Sequence, residues 1–256
     1  MRDNTVRTTL EGGGTALGSM VFEFDARGIS RLAAAAGAEF LVYDMEHTGW
    51  SLETIGRLVA AAGEGIAPFV RVPAAERHFV SPVLDVGALG VMVPMVSTAE
   101  TARQVVDWAK YPTVGTRGVA FGMAHDDYRP RPAVEAMERA NARTLVIVQI
   151  ETAEGLGNVE EIAAVDGVDV VWVGQSDLTA SLGFPGEFGD PRYTEALEKV
   201  AGAAKAAGKA AGFMCTSPEE GRRMRELGYR ALAYWGDGSL YATELRRGLG
   251  VIRGDG

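Results

Sequence analysis

Short apolar, β-branched runs alternate along this chain with longer alanine-rich or charged amphipathic segments, the patterning of strands and helices taken in turn. The strand-like runs are Thr15 to Phe22, Glu39 to Tyr43, Ala67 to Arg71, Leu89 to Val93, Thr144 to Ile150, Val168 to Val173, Ala211 to Met214 and Arg230 to Tyr234. Leu145-Val146-Ile147-Val148 shows no polar alternation, as expected of a strand buried on both faces in a parallel sheet. Ser97-Thr98-Ala99-Glu100 reads as a capping box opening a helix to about Lys110, which Tyr111-Pro112 stops. Ser217-Pro218 and Asp190-Pro191 each place an N-cap residue before a first-turn proline. Eight strands separated by helices predict a single-domain (β/α)8 barrel over residues 15–256. A doubly wound open sheet is the alternative, and the strand count and length fit it less well. Residues 1–14 are polar, end in Gly12-Gly13-Gly14 and read as a flexible lead-in. That glycine cluster precedes the first strand instead of joining a strand to a helix, so it is no phosphate cradle.

Composition narrows the setting. With 256 residues and 47 % hydrophobic content, the chain can bury a substantial core. No apolar run approaches the ~20 residues of a membrane span and the first residues lack a signal-peptide core, so the expected compartment is the cytoplasm. A net charge of −9 argues against a nucleic-acid partner. The one cysteine, Cys215, excludes an internal disulfide and reads as a buried thiol without an activating partner.

Chemistry gathers where the strands end. Asp44, Glu46 and His47 follow the second strand, Arg71 ends the third, Gln149 and Glu151 end the fifth, and Ser176 and Asp177 follow the sixth. Parallel barrel strands bring such ends to one mouth. Buried carboxylates must be paired, protonated or metal-bound, and two facing one another beside a glutamine favour a cation. Oxygen ligands suit Mg²⁺ or Mn²⁺ and admit Co²⁺ or Zn²⁺, with positions left open for a keto acid. Imine chemistry is disfavoured, because Lys110, Lys199, Lys205 and Lys209 all lie on or beside helices. His-x-His and Gly-x-Gly-x-x-Gly patterns are absent. The long connections at 111–143 and 174–190 are candidates for functional loops, the first carrying His125 as a possible pocket residue. His78 reads as part of a helix start, and Trp50, Trp172 and Trp235 as packing.

Tyr43-Asp44-Met45-Glu46-His47, Phe69-Val70-Arg71, Val93-Pro94-Met95-Val96, Gly115-Thr116-Arg117-Gly118, Val148-Gln149-Ile150-Glu151-Thr152 and Gly174-Gln175-Ser176-Asp177-Leu178 resemble the successive motifs of the HpcH/HpaI aldolase family, the metal-dependent class II pyruvate aldolases. The resemblance runs from about Gly18 to Leu249. It implies that Glu151 and Asp177 ligate a divalent cation and that Arg71 contacts the keto oxygen of pyruvate. By the same resemblance His47 serves in acid/base chemistry with Asp44 orienting it, and the amides of Ser176 and Asp177 hold the pyruvate carboxylate, beside Gln149. It implies further that Asp85 reaches a neighbouring subunit's site in a homohexamer. Gln175 departs from the family, where many members have proline. The expected activity is reversible cleavage of a 4-hydroxy-2-oxo acid to pyruvate, or hydroxypyruvate, and an aldehyde, with His47 or a water it polarises as base. The alternatives are a CoA-thioester lyase of the citrate lyase β-subunit type and a barrel that binds metal and keto acid without turnover.

Overall fold

The computed structural model describes residues 2–129 and 131–254. Residues 1, 255 and 256, at the margins of the expected lead-in and barrel, lie outside the described residues. Eight parallel strands close into a barrel in sequence order: β1 (Ala16–Val21), β2 (Phe40–Asp44), β3 (Ala67–Arg71), β4 (Gly90–Val93), β5 (Leu145–Ile150), β6 (Val170–Val173), β7 (Ala210–Cys215) and β8 (Tyr229–Gly236). The helices are α1 (Thr5–Glu11), α2 (Ile29–Ala35), α3 (Leu52–Ala61), α4 (Arg77–Asp85), α5 (Ala99–Ala109), α6 (Ala133–Arg143), α7 (Ala153–Gly157), α8 (Val159–Ala163), α9 (Gln175–Ser181), α10 (Pro191–Ala206), α11 (Pro218–Glu226) and α12 (Asp237–Arg253). The expected (β/α)8 barrel is therefore the fold, and the open sheet is excluded by the β1–β8 pairing.

Alternation along each strand sorts the apolar residues into two layers. One set, including Leu41, Tyr43, Val70, Val91, Val146 and Val171, packs against the helices. The other, including Met20, Phe40, Val42, Phe69, Met92, Ile147 and Trp172, fills the barrel interior. Bulky interior rings stand against glycines on a neighbouring strand. A Cβ on Gly18 would meet Phe40, one on Gly90 would meet Phe69, and one on Gly212 would sit 2.2 Å from Trp172. These close approaches fix which strand contributes bulk at each level.

The expected flexible lead-in is corrected. Residues 5–11 form α1, and its Val6 and Leu10, one turn apart, join the interior cluster and close the end of the barrel where the strands begin. Asn4 caps the helix through its side-chain oxygen, while its amide donates to the carbonyls of Leu89 and Arg143. A second correction concerns α5. Its N-cap is Thr98, which accepts from Thr101 N, because the Ser97 hydroxyl is engaged with Thr152 Oγ1 at 2.7 Å. Ser217 and Asp190 cap α11 and α10 as expected.

The long connection at 111–143 is anchored at this same closed end, away from the mouth. Lys110, buried and pushed down to about 8 by burial, donates from Nζ to the carbonyls of Asn141 and Thr144. His125 is sealed there beside Tyr111 and Phe121 instead of lining the pocket. Replacing Leu10 with Ala should lower the unfolding free energy by roughly 2–3 kcal/mol, the cost of truncating a buried leucine, read as a shift in urea midpoint. A loose lead-in would keep the change within about 0.5 kcal/mol.

Candidate active site

The period-2 alternation that fills the interior also selects the side chains at its open end. Phe40 and Val42 point inward on β2, so Asp44 does too; Phe69 leads to Arg71, Ile147 to Gln149, and Trp172 to Gly174. Asp44 and Arg71 are direct register partners across β2 and β3. The uppermost interior layer is thus polar where those below it are apolar.

Glu151, immediately after β5, is 2 % exposed. Its Oε1 accepts from Met95 N at 2.5 Å and its Oε2 from Gln149 Nε2 at 2.5 Å. Met95 turns its amide to this carboxylate from a left-handed conformation, φ 56°, costly for a side chain of its size. Burial pushes the Glu151 carboxyl up to about 7; the negative charges of Glu46 and Asp177 add to the rise, and the two donors oppose it. Gly174 makes the room, since a Cβ there would lie 2.0 Å from Glu151 Oε2 and 2.6 Å from Gln149 Nε2. The Gln149 Oε1 is buried without a hydrogen-bond partner.

Across the mouth, the fully buried Asp44 carboxylate accepts from Arg71 Nε at 2.6 Å and from the backbone amides of Glu46 and His47 at 3.2 and 2.9 Å. Asp44 therefore orders the turn and aims Arg71, and its contact with His47 is to the backbone. The residue beside the imidazole is Glu46, whose Oε2 lies 3.7 Å from His47 Nε2 and 3.1 Å from Arg71 Nη1. Burial raises the Glu46 carboxyl, with Arg71 pulling it down. No sequence pattern assigns this bridge, because neighbouring residues in a turn reveal nothing of where their side chains meet. The His47 side chain is 59 % exposed and so reaches solvent.

His47, Arg71, Gln149, Gln175, Ser176 and Asp177 line one cavity of about 160 Å³. Ser176 and Asp177 sit in the first turn of α9, whose cap position is Gly174 and offers no side chain to the first amides. Among the described residues no lysine lines this cavity. Asp85 is not brought to it. It ends α4, shortly before β4 begins, and so lies towards the closed end, accepting from Arg117 Nη2 at 2.6 Å.

A negative pair with a raised carboxyl, an unpartnered amide oxygen and a nearby arginine fits a divalent cation with few protein ligands. Among the described residues, no group of three or more His, Cys, Asp or Glu is placed to hold a metal ion.

Comparison with known proteins agrees with this fold. The HpcH/HpaI aldolase/citrate lyase family model matches residues 24–243. A 2-keto-3-deoxy-L-rhamnonate aldolase from Klebsiella pneumoniae is 35 % identical over 228 residues, 89 % of this chain and 85 % of that protein. A hydroxypyruvate/pyruvate aldolase from Cupriavidus necator is 37 % identical over 221 residues, 86 % and 81 % of the two chains. The crystal structure of an HpcH/HpaI aldolase from Desulfitobacterium hafniense superposes with a TM-score of 0.92 at 32 % identity, covering 96 % of each chain. With its closed barrel, its carboxylates at the ends of β5 and β6 and this match over most of its length, the chain belongs to the HpcH/HpaI aldolase/citrate lyase family.

Proposed function

We propose that the protein is a divalent-metal-dependent aldolase that cleaves a 4-hydroxy-2-oxo acid reversibly to pyruvate, or hydroxypyruvate, and an aldehyde. The observation that carries this reading is the buried Glu151, held by Met95 and Gln149 in a field of negative charge opposite Arg71. The aldolase names of the Klebsiella and Cupriavidus relatives support it. Glu151 and Asp177 would hold the cation, Mg²⁺ or Mn²⁺ by their oxygen donors, with Co²⁺ or Zn²⁺ accommodated. When bound, it supplies Lewis acidity at the keto oxygen of the acid.

The protein's own groups divide the remaining work. Arg71, aimed by Asp44, faces the same oxygen and stabilises negative charge there. The uncapped amides at the start of α9, at Ser176 and Asp177, receive the substrate carboxylate beside Gln149. In cleavage, His47 or a water it polarises takes the proton of the C4 hydroxyl. The C3–C4 bond then breaks, the aldehyde leaves and the electron pair stays on the three-carbon unit, whose C3 takes up the proton held by His47 or its water, in exchange with solvent, to give pyruvate. Glu46, between His47 and Arg71, holds the imidazole over the mouth. Among the described residues lining the cavity, the basic groups are Arg71 and His47, which gives the CoA-thioester alternative little support. The assembly in this reading is a homohexamer in which Asp85 serves a neighbouring mouth, and the compartment is the cytoplasm. Among the described residues no helix is long and apolar enough to cross a membrane.

Pyruvate in D₂O with Mg²⁺ or Mn²⁺ should lose its methyl protons to solvent, followed by NMR. No exchange, as for a passive binder, would overturn the aldolase reading. Because the Glu151 carboxyl sits near 7, protons compete with the cation below that pH, so the thermal shift given by Mn²⁺ should be larger at pH 8 than at pH 6. Glu151→Gln should abolish that shift while leaving the cation-free protein at least as stable at pH 8, since it removes a charge that folding desolvates. Gly174→Ala, which drives a methyl into the carboxylate, should lower cation affinity about 10–100-fold by titration, the scale of losses when a ligand's support is disturbed.

A further inference from the structure

One wall of the mouth is held with more constraint than its packing requires. Phe22 follows β1, lines the cavity and presents its ring 5.8 Å from the Arg71 guanidinium carbon, within cation–π range. Its position is set by residues 214 and 215 positions further along the chain. A Cβ on Gly236 would lie 2.5 Å from Phe22 Cδ2, so only a bare backbone leaves space for the ring. The next residue, Asp237, is 8 % exposed and directs its carboxylate at three successive amides: Oδ1 accepts from Phe22 N at 2.9 Å and Oδ2 from Phe24 N at 2.7 Å, with Glu23 N shared at 3.2 and 3.3 Å. Phe24 packs edge-on against Tyr241, pinning the far side of the loop. Strand β8 reaches this placement through a register shift against β1 and through Trp235 at φ 49°, a left-handed conformation that a tryptophan adopts only at a cost.

The other apolar walls differ in kind. Met20, Met92 and Met214 are unbranched thioethers that re-pack easily, and Trp172 is locked over Gly212. Among the described residues lining the cavity, Phe22 is the rigid ring beside the Arg71 guanidinium, the group that faces the reacting oxygen. We propose that Phe22 is the specificity-determining wall of the mouth, limiting the bulk of the aldehyde that meets the three-carbon unit, and that Gly236 and Asp237 are its positioning residues. This rests on the aldolase reading above. The substrate class it selects is small, hydroxylated or short-chain aldehydes over aromatic ones. Asp237 touches no substrate and acts through the loop it gathers.

The test uses the full chain loaded with Mn²⁺ and compares kcat and KM for glycolaldehyde and benzaldehyde in the direction of bond formation, with pyruvate as donor. The readout is the ratio of kcat/KM for the two aldehydes, which cancels any general loss of active protein. Phe22→Ala should move that ratio towards benzaldehyde by about tenfold or more, chiefly through KM, the scale on which pocket shape discriminates. Phe22→Leu, which retains apolar bulk if the alanine variant folds poorly, should move it part of the way. Asp237→Asn should move it in the same direction, and the Asp237→Asn/Phe22→Ala pair should go no further than Phe22→Ala alone, because both changes act on one wall. An unchanged ratio in both Phe22 variants overturns the wall assignment. A loss of melting temperature in Asp237→Asn with the ratio intact overturns the positioning role. A wild-type protein that exchanges no pyruvate protons overturns the underlying aldolase reading instead, before any variant is compared.

Discussion

A carboxylate placed inside a barrel, with other carboxylates facing it, is the constraint on which the open end depends. Glu151 sits where water cannot solvate its charge, so the chain supplies two donors and surrounds them with devices that hold those donors in place. Met95 adopts a left-handed backbone to offer its amide, and Gly174 forgoes a side chain so that the carboxylate fits. Those donors only partly offset the burial, and the carboxyl remains near neutrality in its affinity for a proton. A group so poised would bind whichever positive species competes best, proton or metal ion, and that is the property the proposed metal site requires.

The two ends of the barrel treat polar atoms in opposite ways. At the closed end Asn4, Lys110 and Arg143 direct their donors at backbone carbonyls, and α1 covers the interior with Val6 and Leu10. At the open end acceptors and cations face the cavity, with Arg71 divided between Asp44 and Glu46 and one Gln149 oxygen lacking any partner. Stability is concentrated where the strands begin and unsatisfied chemistry where they finish, as barrel enzymes generally arrange it.

Much of this was legible in the residues. Buried parallel strands advertise themselves as β-branched runs, and because their side chains alternate strictly, the polar residue ending each run had to face the mouth; Asp44, Arg71, Gln149 and Glu151 follow from that alone. What escaped was tertiary. Seven residues with two apolar positions are too few to signal a helix, and α1 exists because Asn4 and the barrel interior receive it. Ser97 and Thr98 are equally good caps until Thr152 engages one of them. The pairing of His47 with Glu46 instead of Asp44 depends on turn geometry, and the clamp on Phe22 joins opposite ends of the sequence. His125 reads as possible pocket chemistry only while its long connection is taken as a mouth loop; a segment leading from a helix into the start of β5 is anchored at the closed end instead.

Gly174 also bears on how such a site can change over generations. A position where a single added methyl would strike the Glu151 carboxylate admits one residue type, while Gln175 beside it lines the cavity without that constraint. A search for variants with new substrates would thus keep glycine at 174, where an added methyl costs cation affinity, and place its diversity at 175.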